Sequence, residues 1–465
     1  MPHDLLSGTT LRTRTAGAVA DDRLRATLHH VTDRLADSRL TGAATIGNWE
    51  ELRTAARAVR ADVIARLPEI LERLANNWER NGGHVFWAAD ADEARRYVTD
   101  LAARHGARTV VKSKSMATEE IGLNDALAAQ GVEVVETDLG EWIIQLADQP
   151  PSHIIAPAIH LTRDDVADIF NEQPASGGAL SNVPEELCAF ARQELRQKFL
   201  QADIGISGCN MAVAETGSMV LVTNEGNGRM VTSLPRVHVA VMGMERVVET
   251  WEQLDLILTL LPRAATGQDL SVYTTQVTGP RRPGEIDGPD ELHLVILDNG
   301  RSELIGSEMQ EMLNCIRCGA CLNVCPVYRQ VGGHAYGWCY SGPMGAVLIP
   351  LLNHAEEAGE LSGASTLCGA CYEACPVKIP LQDLLLTLRR QRNEREAPRA
   401  QRAAWKAWAA AWSHPSSYRA STGAAAKVGR VLPTRLFPDG WTAGREIPRA
   451  RAGRSFRSRF ARGEI

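Results

Sequence analysis

Residues 314–329 read NCIRCGACLNVCPVYR, and residues 365–379 read STLCGACYEACPVKI. Aligned from their right-hand ends, the runs match at an offset of fifty: Cys375 falls on Cys325, Cys371 on Cys321 and Cys368 on Cys318. Ser365 stands where the first run has Cys315. Four cysteines so close together are too crowded for the paired Cys-x2–4-Cys ligands of a structural zinc site. Their spacing lets one loop wrap three thiolates round an iron–sulfur cubane, while the fourth cysteine leaves along the chain to serve a second cluster. Gly319 permits close backbone approach, and Pro326 ends local structure after the fourth cysteine.

Under that exchange Cys315, Cys318, Cys321 and Cys375 hold one cluster. Cys325, Cys368 and Cys371 hold the other, which is one protein thiolate short. Three completions stay open: Cys339, in GWCYSGP between the runs; an oxygen from Ser365; or a three-iron cluster, or a four-iron one with an exogenous ligand. Lone cysteines are commonly buried as small hydrophobes, the reading given to Cys188 and Cys209 and the alternative for Cys339. Two clusters on one segment point to an electron relay rather than a catalytic iron. Potentials span roughly −700 to +450 mV across cluster types, so spacing does not give the direction of flow.

Outward from this segment the pattern changes. Residues 1–80 place Leu, Val and Ile at helical spacings until Asn81-Gly82-Gly83 stops them. Then HVFWAA, TVVKS, VEVVET, HIIAPA, MVLVT, VHVAVMG and LHLVILD read as buried strands, with helices such as ADEARRYVTDLAARHG and SMATEEIGLNDALAAQG between them. That alternation predicts an α/β domain with a mostly parallel sheet. The expected organisation is a helical segment over 1–80, an α/β domain over 81–304, an α-helical cluster domain over 305–390 and a basic region over 391–465, irregular from Ser413 onward.

At 465 residues the chain exceeds one ordinary core. No apolar run reaches the roughly 20 residues of a spanning helix, and a cytoplasmic location is expected. Ten cysteines in such a chain argue for metal or redox chemistry over a disulfide framework. The net charge of −6 hides an asymmetry: residues 389–465 carry 18 Lys and Arg against 5 Asp and Glu. Such a tail suits an acidic partner or an anionic membrane surface. It lacks the aromatic–basic interleaving of single-strand nucleic-acid binders, and its Trp405, Trp408 and Trp412 run at helical spacing.

Within the α/β stretch, ETGS and NEGNGR bracket the strand MVLVT. Glu215 is a candidate nucleophile or base and Arg229 a candidate anion contact, against the plainer reading of Asn-Gly as a hairpin turn. Lys112, Ser113, Lys114 and Ser115 follow a strand, where open α/β sheets bind ligands. His153 and His160 have no carboxylate or cysteine cluster beside them and are read as structural.

Together, KSKSMATEEIGLNDAL, HIIAPAIH, NMAVAETGSMVLVTNEGNGRMVTSLPRVHV, the cysteine runs, GGHAYGW, SGPMGAVL and, in the tail, WSHPSSYR and W-T-x-G-R-E-I-P-R-A resemble the lactate utilization protein B family over nearly the whole chain. The resemblance implies a LUD domain with an open sheet like that of NagB and the CoA transferases, followed by a dicluster ferredoxin domain. It implies two iron–sulfur clusters, [4Fe-4S] with [3Fe-4S] as the variant for the second, held by Cys315, Cys318, Cys321, Cys325, Cys368, Cys371 and Cys375. Cys339 is outside the family pattern. The implied role is electron transfer during oxidation of L-lactate to pyruvate, beside two sister subunits, with the electron acceptor unspecified. An α/β domain that itself turns over lactate or an acyl derivative, and a redox sensor, are the competing readings; no helix-turn-helix pattern supports the sensor.

Overall fold

The computed structural model describes residues 8–352, 356–428 and 456–464. The chain up to Arg390 gathers into one compact unit and that from Gln391 onward into a second.

In the first unit, six strands form one parallel sheet: β1 (His84–Ala88), β2 (Thr109–Lys112), β3 (Glu133–Glu136), β4 (Ile204–Ser207), β7 (Val237–Gly243) and β10 (Glu291–Leu297), in the order β1-β10-β7-β4-β2-β3. Every residue of β4 and β7 is buried, as expected of strands covered on both faces. A second sheet, β8-β5-β6-β9, is built from β5 (Met211–Val213), β6 (Ser218–Thr223), β8 (Val247–Val248) and β9 (Tyr273–Val277). The stretch MVLVT is β6 of this smaller sheet, antiparallel to β5 and β9.

HIIAPA is not a strand. Residues 151–160 form successive turns, because His153 Nδ1 accepts the backbone N–H groups of Ile155 (3.0 Å) and Ala156 (3.2 Å), which a strand would offer to a neighbour. SMATEEIGLNDALAAQG is two short helices, Met116–Glu120 and Leu123–Ala128, divided at Gly122 with φ 61°.

Four helices precede the sheet: α1 (Leu11–Ala20), α2 (Asp22–Ala44), α3 (Trp49–Ala65) and α4 (Leu67–Arg80). In α4 the side chains Leu67, Ile70, Leu71, Leu74 and Trp78 recur at three- and four-residue steps and all are buried. Their core is continuous with that of the cysteine segment, which is made of short helices such as Ala320–Asn323, Gly342–Leu352 and Ala370–Ala374.

In the second unit, helix Arg399–Trp412 is followed by Pro415–Val428, so the irregular structure expected from Ser413 is corrected there. Proline is accepted in a first helical turn, where its missing N–H has no intrahelical partner to lose, and the alanines that follow favour the helix. Residues 429–455, with the Trp441–Ala450 motif, lie outside the described residues. Trp408 lies tilted against Trp412 at 4.7 Å and meets Trp405 edge-on at 5.5 Å, and all three indoles are exposed.

Candidate cluster site and adjoining cleft

The two cysteine runs fold as a repeat. Arg317 and Leu367 both take left-handed backbone, φ 60° and 57°, and so do Gly319 and Gly369, φ 73° and 83°. Leu322 N–H bonds Gly319 O at 3.0 Å as Tyr372 N–H bonds Gly369 O at 2.9 Å. Cys325 N–H bonds Leu322 O and Cys375 N–H bonds Tyr372 O, both at 3.1 Å.

Cys315, Cys318, Cys321 and Cys375 line one hollow, walled by Met312, Ile316, Val377, Ile379 and Leu381. The thiol of Cys318 is pushed up by burial and by Cys375 and Cys315. Burial raises Cys375 to about 11 despite the Ile379 N–H, and the nearby Cys315 adds to it. The other set is coupled in the same way: burial and Cys325 raise Cys371 to about 12, and Cys368 bears on both Cys325 and Cys371. Cys321 senses Cys371 as well as Cys318 and Cys315, so the sets adjoin. Among the described residues no three His, Cys, Asp or Glu side chains form a site for a single metal ion. Thiols spread round an apolar hollow fit a soft, polynuclear iron–sulfur cluster, whose iron takes thiolate in place of thiol.

Backbone N–H groups already point at the sulfurs: Arg317 to Cys315, Tyr328 to Cys325 and Ile379 to Cys375, each at 3.4 Å. Cys339 is buried apart from this pattern, and after burial the charges that bear on it most are Glu120, Glu119 and Arg317. Cys209 is buried, and Cys188 is exposed rather than buried as its sequence reading held.

Arginines that the motif reading passed over fasten this segment. Arg53 donates to Cys375 O at 3.0 and 2.8 Å and to Tyr372 O at 3.0 Å, and Arg39 to Ala374 O and Glu373 O at 3.1 and 3.0 Å. Arg60, fully buried, spans Val247 O (2.7 Å) and Leu313 O (3.0 Å). The signal was present: Arg53, Ala56, Arg60 and Val63 share one buried face of α3.

On the α/β side, a cleft of about 700 Å³ opens beyond the carboxyl ends of β2, β4 and β7, lined by Ser113, Lys114, Gly208 and Gly243. Arg317 lines both this cleft and the hollow of the first four cysteines. Arg246, also in the cleft wall, donates to Cys315 O at 2.9 Å. Burial would raise the Glu245 carboxyl, but Arg301, Arg317 and Arg246 hold it down, to about 2. Glu120 completes this buried network, accepting from Arg301 and from Tyr340 Oη, both at 2.7 Å.

Lys112 does not reach the cleft but is fully buried between Glu119 (2.5 Å) and Glu136 (2.7 Å). Lys114 instead reaches the cleft, donating to Ile155 O at 2.8 Å. Glu225, at the cleft mouth, accepts from Leu139 N–H at 3.1 Å; partial burial and then Asp138 push its carboxyl up, to about 7, a shift that solvent at the mouth screens.

Glu215 lies outside the cleft lining and accepts the Trp251 N–H at 2.8 Å, at the start of helix Trp251–Thr266. Arg229 stands over the Tyr273 ring at 5.6 Å, also outside that lining. Asn227-Gly228 opens helix Asn227–Ser233 rather than a hairpin. His153 meets Asn323 Oδ1, within the first cysteine run, at 3.1 Å, and His160 bonds Gln149 Oε1 at 2.6 Å.

A LUD domain matches residues 71–297, a 4Fe-4S dicluster domain residues 311–379, and the C-terminal domain of lactate utilisation protein B residues 388–464. The chain is 51% identical to lactate utilization protein B of Bacillus licheniformis over 87% of this chain and 85% of that one. With the protein of the same name from Bacillus subtilis it shares 49% over 87% and 85% of the two chains, and with that of Shouchella clausii 47% over 96% and 95%. A crystal structure of a DUF162 family protein from Deinococcus radiodurans aligns with 50% of this chain and 98% of its own, at a TM-score of 0.29 and 15% identity.

Proposed function

The chain belongs to the lactate utilization protein B family and is an iron–sulfur protein of lactate utilisation, and from that premise we propose that it carries electrons released when L-lactate is oxidised to pyruvate, in a complex with sister subunits. The observation that carries this reading is the sorting of the cysteines into two adjoining sets, Cys315, Cys318, Cys321 and Cys375 around one hollow and Cys325, Cys368 and Cys371 beside it. Each set would hold one cluster, the first of the [4Fe-4S] type, and bound clusters would supply one-electron carriers. The chain's part is to hold thiolates at fixed positions, to direct N–H groups at the sulfurs and to keep water from the first site with apolar walls, all of which tune potential. The basic region from Gln391 provides a contact for an acidic partner subunit or an anionic membrane surface.

A second reading has the α/β domain binding lactate or an acyl derivative. The cleft supports it, because it stands at the carboxyl edge of the sheet, holds Lys114, and shares Arg317 with the first cluster site. One experiment separates the two in purified complex. Cys318→Ala is expected to abolish lactate-dependent cluster reduction, and Lys114→Ala to leave it within about threefold of wild type; unchanged reduction in Cys318→Ala defeats the relay, whereas a hundredfold loss in Lys114→Ala favours the second reading.

A further inference from the structure

The second set of thiols lacks one ligand, and the repeat shows which side chain stands in its place. In the first run Cys315 Sγ accepts the N–H of the residue two further on, Arg317, at 3.4 Å. In the second run Ser365 Oγ accepts the N–H of Leu367 at 3.1 Å. Leu367 has the left-handed backbone of Arg317, and Gly369 that of Gly319. Cys315 and Ser365 are both partly buried, and the two loops share the turns at Gly319 and Gly369 and the backbone bonds that close on Cys325 and Cys375, while Cys318 is buried and its counterpart Cys368 exposed. We infer that Ser365 Oγ is the fourth protein ligand of the second cluster, beside Cys325, Cys368 and Cys371, in an assignment that rests on the two-cluster reading.

The alternative thiol faces other charges: none of the groups that bear most on Cys339 belongs to the second set. Cys339 is buried among Glu119, Glu120 and Arg317, on the side of the α/β network. A charge that suits an oxygen ligand is at hand instead: Arg389 donates to Ser365 O at 2.7 Å and to Ser362 O at 2.7 Å, which places a guanidinium beside the serine. Ligation breaks the Ser365 O–H bond, sends the proton to solvent and forms one Fe–O bond, with no change in electron count. A nearby cation and a backbone N–H both favour the resulting alkoxide. An alkoxide is a harder ligand than thiolate and favours ferric iron, so the second cluster is set to a lower potential than an all-cysteine version would have.

The test uses the full chain, purified without air, with iron and sulfide counts and electron paramagnetic resonance before and after mild oxidation. Ser365→Ala is expected to lose about one iron per chain on oxidation and to give the near-isotropic signal of a three-iron cluster, which wild type and Ser365→Cys do not. Ser365→Cys is expected to raise the potential of the second cluster and change its reduced-state spectrum while the first cluster's spectrum stays as in wild type. If Ser365→Ala fails to fold, the Ser365→Cys comparison still decides. Spectra and potentials of Ser365→Cys that match wild type, or a three-iron signal from wild type as purified, overturn the assignment alone. Iron for a single cluster in wild type overturns the two-cluster reading and the assignment with it.

Discussion

His238 stands in β7, at the centre of the parallel sheet, with no exposed surface. Its Nε2 meets Ser207 Oγ at 2.9 Å, while Nδ1 is buried without a partner. Burial and then the neighbouring His293 hold its pKa down, to about 3. Between that value and the roughly 6.5 of an unfolded histidine, the unfolded chain binds the extra proton. Stability from this residue is therefore complete above about pH 6.5 and lost as pH falls towards 3, by about 1.4 kcal/mol per unit. His238→Gln, which cannot charge, is expected to lose about 2 kcal/mol less than wild type when denaturant unfolding is measured at pH 5 and at pH 7. Equal losses in the two proteins would show that His238 is not held neutral. The sequence marks VHVAVMG as a buried strand but not that its histidine meets Ser207 and His293, because the sheet order that surrounds it is a property of distant strands.

The cysteine loops were legible as elements because their ligand spacing is local, and the offset of fifty appears in backbone angles as well as in letters. HIIAPAIH was misread because an apolar run carries the same periodicity signal whether its N–H groups go to a neighbouring strand or, as here, to its own histidine. IGIS went unread as β4, since a glycine weakens the strand pattern; Gly205 is there because a Cβ would lie 2.1 Å from Val231 O. The spacing of Arg53 and Arg60 marks a face of α3 but not what it meets: α2 and α3 reach over the second cysteine loop and satisfy its carbonyls. Arg53→Ala leaves Cys375 O and Tyr372 O without these donors and opens a void beside a ligand, at a cost of about 2–4 kcal/mol. It is expected to release iron from the first cluster several times faster than wild type when an iron chelator is added, while Arg73→Ala, whose guanidinium is partly exposed, behaves as wild type. Equal release rates would show that the arginine clasp does not hold this loop.

For the whole molecule, the informative fact is where burial stops along helix Leu381–Glu396. Leu381, Leu384, Leu385 and Leu388 are buried, and no described residue after Gln391 is. The proposed ligands and the arginines that fasten them all precede that point. A chain ending at Glu396 therefore keeps every group that the cluster site uses, and loses the tryptophans and most of the excess positive charge. Such a chain is expected to keep the iron and sulfide content and the magnetic spectra of the full one. Its electrostatic contacts are expected to change: association of the full chain with the proposed partner subunits, or with anionic vesicles, is expected to weaken as salt rises, and the shortened chain is expected to show neither the binding nor the salt dependence. Loss of clusters on truncation would place part of the redox site beyond Glu396. Undiminished, salt-insensitive association would move the docking surface to the compact unit that ends at Arg390.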